Sequence, residues 1–128
     1  LEHVLRNSDT LKSMQRSGIH CQLHSQGTPP SLSDEVRINI YRIIQEALSN
    51  IAKHAGATAV EIDITYAEEA IHIEVTDNGI GLTQAQPKPS SLGLISMRER
   101  ARFIGAQLTI DSGQQQGTRV IIDLPLTV

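Results

Sequence analysis

Residues 33–56 have the sequence SDEVRINIYRIIQEALSNIAKHAG and form the most regular pattern in the chain. Ser33 is a suitable N-cap, and Asp34 and Glu35 follow in the first turn, where the helix dipole favours acidic residues. Apolar residues then recur at helical spacing for about five turns: Val36, Ile40, Ile43, Ile44, Ala47 and Ile51. Gly56 is suited to end the helix, because glycine readily adopts the left-handed conformation of a C-cap. The pattern predicts one long amphipathic helix that ends at Gly56.

The segments on both sides of this helix predict a mixed α+β domain. Helical spacing marks two further helices, one from Leu1 to Gly18 and one from Leu94 to Ile104. Alternating apolar runs mark five strands, at residues 19–23, 60–64, 71–75, 108–110 and 120–124. Residues 77–92 are irregular and rich in glycine and proline, which predicts a mobile loop. Paired strands interrupted by helices predict an α+β sandwich with the helices packed on one face of the sheet.

Composition narrows the class of protein. The chain has 128 residues, a formal net charge of −3 and 39% hydrophobic residues, which fits a single domain with its own core. Only 2% of the residues are aromatic, which disfavours stacking on nucleic-acid bases, and the near-neutral charge balance disfavours binding to a phosphate backbone. The single cysteine, Cys21, cannot form an internal disulfide, and the five histidines lack the spacing of a zinc site. We therefore expect a domain from a reducing compartment that does not bind nucleic acid.

No apolar run approaches the roughly 18 residues of a membrane span, and no basic-then-apolar signal opens the chain. We therefore expect neither a membrane-spanning segment nor an export signal within it. The chain begins at Leu1 rather than at methionine, so we expect a domain cut from a longer protein.

Polar residues near the end of the long helix are candidates for a site. At 100° per residue, Glu46, Asn50 and Lys53 fall on one stripe beside the apolar face, and His54 lies one step further around. A solvated helix face is the simpler interpretation of such a stripe. The functional interpretation is that the Asn50 side-chain oxygen binds Mg²⁺, while Lys53 or His54 meets the charge of a substrate phosphate.

A second candidate is Asp77-Asn78-Gly79-Ile80-Gly81, directly after a predicted strand. Asn-Gly first suggests a hairpin turn, but no matching strand follows it. A dinucleotide-binding fingerprint is also disfavoured, because Gln84 replaces the third glycine and no helix can open before Pro87. A bent backbone that a ligand approaches closely remains, and a buried Asp77 could accept a hydrogen bond from the exocyclic amine of adenine.

Two weaker signals follow. Gly93 precedes a predicted helix start, where free backbone N–H groups can bind phosphate. Gly117-Thr118-Arg119 leads into the last strand, and a simple β-turn explains it equally well when it is taken alone.

Taken together, four segments resemble the N, G1, G2 and G3 boxes of the Bergerat-type ATPases, in the same order. They are QEALSNIAKHA (45–55), DNGIG (77–81), GLISMRER (93–100) and Gly117-Thr118. The sequences of these segments are similar to those in the ATP-binding catalytic domain of bacterial sensor histidine kinases, in the subfamily of the nitrate/nitrite sensors. The resemblance covers residues 32–124 and implies the Bergerat fold, a two-layer α/β sandwich with a mixed, mostly antiparallel sheet and a mobile ATP lid.

The resemblance also implies roles at matching positions. Asn50 would bind Mg²⁺, Lys53 and His54 would face the phosphates, and Glu46 stands where related hydrolytic ATPases carry a general base. Asp77 would bind the adenine amine, with Gly79 and Gly81 shaping the base pocket. Gly93 and Leu94 would close the lid over the triphosphate, and Thr118 would lie near the adenine.

The resemblance implies a function in two-component signal transduction. The domain would bind Mg²⁺ and ATP and donate the γ-phosphoryl group to a histidine on a separate dimerisation domain, which passes it to a response regulator. None of the five histidines is followed by an acidic residue, as the acceptor of this family is, so we expect the acceptor and sensor domains outside residues 1–128. We expect a monomeric, cytoplasmic domain with little activity alone. The alternatives are a stand-alone protein-serine kinase of the same fold, similar to an anti-sigma factor, and a non-catalytic nucleotide-binding module.

Overall fold

The computed structural model describes residues 1–79, 93–113 and 117–126, without the side chains of residues 54, 55, 112 and 113. The helices are α1 (Glu2–Arg6), α2 (Asp9–Arg16), α3 (Asp34–Asn50) and α4 (Leu94–Phe103), and a π-helical turn (Ile51–Ala55) follows α3. The strands are β1 (His20–Gln26), β2 (Ala59–Tyr66), β3 (Ala70–Asp77), β4 (Gln107–Gly113) and β5 (Gly117–Pro125). Each of the five predicted strands is thus confirmed, and the predicted mobile loop and lid fall largely on residues 80–92, outside the described residues.

The strands form one mixed sheet in the order β1-β2-β3-β5-β4. Strands β1 and β2 are parallel, because α3 lies between them and returns the chain to the same end of the sheet. The other three pairings are antiparallel and include the predicted hairpins β2–β3 and β4–β5. Because β5 runs antiparallel to β3, its first residues lie beside the last residues of β3, with Thr76 opposite Arg119.

The sheet has one apolar and one polar face. Alternate residues of β2 and β3 are at most 1% exposed: Val60, Ile62, Ile64, Ile71, Ile73 and Val75. They form one hydrophobic cluster with Ile40, Ile43 and Ile44 of α3 and with Met97 of α4. The intervening positions carry charged residues such as Glu61 and Glu74 and are not fully buried. The helices therefore cover one face, which confirms the predicted two-layer α+β sandwich.

Helix α3 begins as the sequence predicts and ends differently. The Ser33 hydroxyl accepts a hydrogen bond from the Val36 N–H at 3.2 Å, and Gly56 ends the helical segment with a φ of +62°. The α-helix itself stops at Asn50, and residues 51–55 form a wider π-helical turn. The expected continuous α-helix up to Gly56 is therefore wrong in its last five residues. Ile51 remains only 3% exposed in this turn, so the core contact is kept while the backbone path changes.

The first 17 residues form two helices rather than the predicted single one. The Ser8 hydroxyl accepts from the Leu11 N–H at 3.2 Å and caps the start of α2. The Asn7 amide donates to the His3 carbonyl oxygen at 2.8 Å and caps the end of α1. These side chains offer the backbone hydrogen bonds that compete with a continuous helix, and so they explain the break. In the described part of the chain, no helix combines the length and the apolar character needed to cross a membrane.

Candidate functional site

Buried polar side chains single out one end of the sheet. In the described part of the chain the buried polar or charged residues are Ser8, Asn39, Asn50, Asp77 and Thr118, at 3–9% exposure. Ser8 caps α2, and Asn39 both donates to the Glu35 carbonyl oxygen and accepts from Arg100, so these two have structural roles. The other three are all residues that the sequence analysis assigned to a site. Because burying a polar group costs free energy, the burial of these three side chains supports their choice as candidates for a site.

The Asp77 carboxylate is held from two sides by the backbone. Its Oδ1 accepts a hydrogen bond from the Gly79 N–H at 2.6 Å, and its Oδ2 accepts one from the Thr118 N–H at 3.3 Å. Burial raises the pKa of Asp77, and the hydrogen bonds from Gly79 and Thr118 oppose that rise. Each carboxylate oxygen has further acceptor capacity, so the group can receive a hydrogen bond from a ligand amine while its orientation stays fixed.

Gly117 is required by the close approach of β5 to Asp77. A Cβ atom at this position would lie 2.0 Å from the Asp77 carbonyl oxygen and 2.8 Å from its Oδ1. Its φ of +78° is also a conformation that side chains disfavour. The glycine that the sequence analysis placed in the G3 box therefore allows the Thr118 N–H to reach the carboxylate.

Asn50 lies at the junction between α3 and the π-helical turn. Its side chain is 5% exposed, whereas Lys53 in the turn is exposed. The π-helical turn has hydrogen bonds from residue i to i+5, so it rotates Lys53 relative to the position that a continuous α-helix predicts. The α-helical spacing that the predicted stripe of Glu46, Asn50 and Lys53 assumes therefore ends at Asn50, and the position of Lys53 on that stripe stays a prediction. The side chain of His54 lies outside the described residues.

Glu46 meets the start of α4 at Gly93. A Cβ atom on Gly93 would lie 1.8 Å from Oε1 of Glu46, so only a glycine fits beside this carboxylate as it stands. Gly93 has a φ of +75° and precedes the first helical residue, Leu94, which is partly buried. A polar cavity of about 240 Å³ adjoins this contact between α3 and α4. The structure thus places Glu46 beside Gly93, the residue that precedes Leu94.

The predicted residues therefore form two groups. Asp77, Gly79 and Thr118 meet at the end of β3 and the start of β5. Glu46, Asn50, Gly93 and Leu94 lie on α3 and at the start of α4, and the short segment 51–58 leads from Asn50 to the start of β2. Because Val60 at that start pairs with Asp77, the two groups share one end of the sheet. Gly81 lies outside the described residues.

Sequence analysis missed Asn78. Its side chain forms hydrogen bonds with Thr58 and Ala59, which are 19 to 20 residues earlier in the chain. In the sequence, Asn78 signals only a turn. Its partners become visible only when β2 and β3 are paired, so no local pattern could have revealed this role.

Comparison with known proteins identifies the family of this chain. The family model described as "Histidine kinase-, DNA gyrase B-, and HSP90-like ATPase" matches residues 35–128. The oxygen sensor histidine kinase NreB of Staphylococcus carnosus is 36% identical over 111 residues, which cover 86% of this chain and 32% of that protein. The sensor protein NarQ homolog of Haemophilus influenzae is 36% identical over 129 residues, which cover 100% of this chain and 22% of that protein. The chain thus spans about a third or less of the length of these relatives.

Among solved structures, the histidine kinase domain of the Erythrobacter litoralis EL346 blue-light activated histidine kinase superposes with a TM-score of 0.76. The match covers 91% of this chain and 56% of that one at 23% sequence identity, so it shows the fold. Family match, relatives and fold point the same way. This chain belongs to the histidine kinase-, DNA gyrase B- and HSP90-like ATPases and is an ATP-binding domain of the sensor histidine kinase type.

Proposed function

We propose that this domain binds Mg²⁺–ATP and donates the γ-phosphoryl group to a histidine on a separate dimerisation domain, as the first step of two-component signal transduction. The observation that supports this most is the buried Asp77 carboxylate, which two backbone N–H groups hold in a fixed direction. A fixed, buried acceptor can distinguish the exocyclic amine of adenine from the carbonyl oxygen of guanine, because only the amine donates a hydrogen bond. The name of the similar protein NreB, an oxygen sensor histidine kinase, supports the choice of histidine as acceptor.

Asp77 is the adenine-reading residue in this proposal. Gly79, whose N–H binds the carboxylate, and Gly81 shape the base pocket, and Thr118 lies beside the base. The site around Asp77 would fix the position of the nucleotide base. The triphosphate would then extend towards Asn50 and the start of α4.

Mg²⁺ fits the donor groups at Asn50. Among the described residues no group of three or more histidine, cysteine, aspartate or glutamate side chains could hold a metal ion. In proteins Mg²⁺ keeps several waters and can take its remaining ligands from a protein oxygen and the substrate phosphates. The Asn50 side-chain oxygen, buried at the end of α3, would be that protein ligand. When bound, Mg²⁺ neutralises charge on the phosphate oxygens.

The chain contributes mainly by placement and charge. Lys53 and His54 would face the phosphates, and the backbone N–H groups that follow Gly93 and Leu94 would receive the triphosphate. Glu46 polarises the site beside Gly93 rather than activating water, because water is not the intended acceptor. Such catalysis rests on holding the γ-phosphoryl in line with the acceptor histidine. The domain alone, as a cytoplasmic monomer, would therefore bind ATP and turn over little.

Transfer is tested by mixing the domain with a separately produced dimerisation domain of the same protein and γ-labelled ATP. The proposal expects label on that domain in an acid-labile, base-stable form, which is typical of phosphohistidine. A variant of the dimerisation domain with its acceptor histidine replaced is the matched control and should stay unlabelled. Acid-stable label on a serine would instead support a protein-serine kinase. ATP binding without any transfer would support a non-catalytic nucleotide-binding module.

The metal role is tested with Asn50→Ala. The loss of its one protein ligand should remove the Mg²⁺ dependence of ATP binding, so that affinities with Mg²⁺ and with EDTA become similar. Isothermal titration under both conditions measures this, with Ser49→Ala on the preceding residue as the control. Unchanged Mg²⁺-dependent affinity in Asn50→Ala would contradict the assigned role.

A further inference from the structure

Asn78 lies directly after Asp77, where β3 ends. Its side-chain oxygen Oδ1 accepts hydrogen bonds from the backbone N–H groups of Thr58 and Ala59, at 2.9 and 3.0 Å. Its amide nitrogen Nδ2 donates to the Thr58 hydroxyl oxygen at 2.9 Å. We name these three hydrogen bonds the Asn78 bridge.

Chemistry fixes the orientation of this amide. Two backbone N–H donors face one end of it, and only the carbonyl end can accept from them. The NH₂ end then points to the Thr58 hydroxyl, which can accept. A flipped amide would place donors against donors, so the side chain has one satisfied orientation.

The bridge extends the pairing of β2 and β3 beyond the end of the ladder. The last paired residues are Val60 and Asp77. Beyond them the Asn78 N–H lies 3.3 Å from the Ala59 carbonyl oxygen, at the long end of hydrogen-bond distances. The bridge adds three shorter bonds at this point. Thr58 also accepts a hydrogen bond from the His20 N–H at 2.8 Å, so β1 is joined to the same corner.

This corner is directly connected to a hydrogen-bond donor of the Asp77 carboxylate. The Gly79 N–H that holds Oδ1 of Asp77 belongs to the peptide group directly after Asn78. A change in the backbone at Asn78 would therefore move the donor away from the carboxylate. We infer that Asn78 is a positioning residue for adenine recognition, because its bridge to Thr58 and Ala59 keeps the 77–79 turn in the shape that orients Asp77. This inference rests on the proposed role of Asp77 and adds to it the residue that sets its geometry.

The bridge also links the two groups of site residues. Thr58 comes two residues after Gly56, which ends the segment of Asn50 and Lys53. Asn78, the residue next to Asp77, is thus hydrogen-bonded to the backbone that directly follows the α3 segment. We expect the loss of the bridge to weaken binding of the whole nucleotide as well as selectivity for the base.

The first test measures the orientation of Asp77 without any nucleotide. Hydrogen exchange of assigned amide protons is followed by NMR in the wild type and in Asn78→Ala. The Gly79 and Thr118 amides should exchange about tenfold faster in the variant, since they lose a fixed acceptor. The matched control is Asn7→Ala, which removes another exposed amide hydrogen bond, to the His3 carbonyl oxygen, at the far end of the sequence. Equal exchange at Gly79 in the wild type and in Asn78→Ala would overturn the inference.

The second test measures base selectivity by titration with Mg²⁺–ATP and Mg²⁺–GTP. Asn78→Ala should bind ATP about tenfold more weakly and lose most of the preference for ATP over GTP. This is the loss expected when the hydrogen bonds that orient Asp77 are removed, each with a small net free energy. Asn7→Ala should keep the affinities for ATP and GTP, even if its free energy of unfolding falls as much as that of Asn78→Ala. An unchanged ATP to GTP ratio in Asn78→Ala would mean that the bridge only stabilises the fold, which would overturn the inference.

A milder pair of variants guards against unfolding. Thr58→Val removes the hydroxyl that accepts from Asn78 and keeps the side-chain shape, whereas Thr58→Ser keeps the hydroxyl. Thr58→Val should lower the ATP to GTP ratio about threefold and Thr58→Ser should leave it unchanged. Equal ratios in the two variants would count against the inference. If the wild type binds no ATP, the proposed function fails, and the exchange of Gly79 alone then decides whether Asn78 orients Asp77.

Discussion

Strand β3 carries charged groups on both of its faces, and the two sets are held in different ways. On the helix-covered face, Asp77 is 3% exposed and is bound by backbone N–H groups alone in the described structure. On the open face, His72 lies between two carboxylates, with Nε2 2.9 Å from Glu74 and Nδ1 2.5 Å from Asp123. The side chains of this second group are 31–44% exposed.

The two groups differ in how their charge is compensated. In the His72 group both ring nitrogens already have an acidic partner, and the three side chains are partly exposed. Asp77 has no cationic partner among its contacts in the described residues, and burial raises its pKa. A buried carboxylate that only backbone donors support is ready for a further donor from a ligand. If the proposed role of Asp77 holds, changes at Asp77 should affect nucleotide binding, whereas changes around His72 should not.

The largest effect is expected from Gly117→Ala. The new Cβ would meet the Asp77 backbone oxygen, which cannot move aside cheaply, at a residue whose φ is already +78°. We expect a loss of roughly 3 kcal/mol in the free energy of unfolding, measured by urea denaturation. Gly105→Ala is the matched control, because its φ is +77° and nothing lies within 4 Å of its Cβ position. It should lose about 1 kcal/mol from backbone strain alone. Equal losses in both variants would contradict the close approach at Asp77.

Asp77→Asn should separate binding from folding. The change is nearly isosteric, but the new NH₂ group cannot accept hydrogen bonds and faces donors. ATP affinity should fall about 10- to 100-fold, as expected for losing a hydrogen bond to a charged group. Titration with Mg²⁺–ATP gives the affinity and circular dichroism checks the fold. Glu74→Gln on the open face should bind ATP normally, and a similar loss in both variants would refute the contrast between the faces.

The pKa of Asp77 should respond to the nucleotide. Burial raises it in the free domain, so ionisation is disfavoured there and the free energy of unfolding declines as pH rises from the unfolded-state pKa to the folded one. A donor amine favours the ionised form, so saturating Mg²⁺–ATP should lower the pKa of Asp77. Carbon-13 NMR of the side-chain carboxyl measures both values. A purine nucleotide without the exocyclic amine should give a smaller change, and an equal change would argue against adenine reading by Asp77.

The smallest effect is expected on the open face. The hydrogen bonds that His72 donates to the carboxylate of Glu74 and then to that of Asp123 raise the pKa of His72. Their stabilisation is fully present below the ordinary histidine pKa of about 6.5 and is lost as pH rises through the higher folded pKa. Asp123→Asn should therefore bring the pKa of His72 closer to the ordinary value, as measured by proton NMR titration. ATP affinity should not change, and a weaker affinity would show that this cluster takes part in the site.

Local patterns predicted most of the secondary structure. The Ser33 cap, the Gly56 terminus and the alternating runs at β2 and β3 all depend on residues within a few positions of each other, and the structure bears them out. The predictions were wrong at the break after Asn7 and at the π-helical turn after Asn50. At the first, capping side chains replaced helical hydrogen bonds. At the second, helical periodicity could not reveal a wider turn that keeps the same apolar residues buried.

The residues of the candidate site could be proposed from the sequence, but the contacts between them could not. The order of the four boxes named Asn50, Asp77 and Thr118 from the sequence, and all three are buried as a site would require. The contact between Glu46 and Gly93 could not be predicted from the sequence of α3 or from that of α4. The contact depends on how α4 packs against α3, which is set by the core between them.

By itself, the sequence determined the two-layer class and which face of α3 is apolar, because hydrophobic period and capping act over one or two turns. The four boxes could be proposed from the sequence because each is a short continuous segment. Only the tertiary structure decided which groups meet. The pairing of β3 with β5 brings the Thr118 N–H to Asp77, across 41 residues. The pairing of β2 with β3 brings Asn78 to Thr58, across 20 residues. Such contacts depend on strand register, and register is fixed only when the whole sheet has packed against its helices.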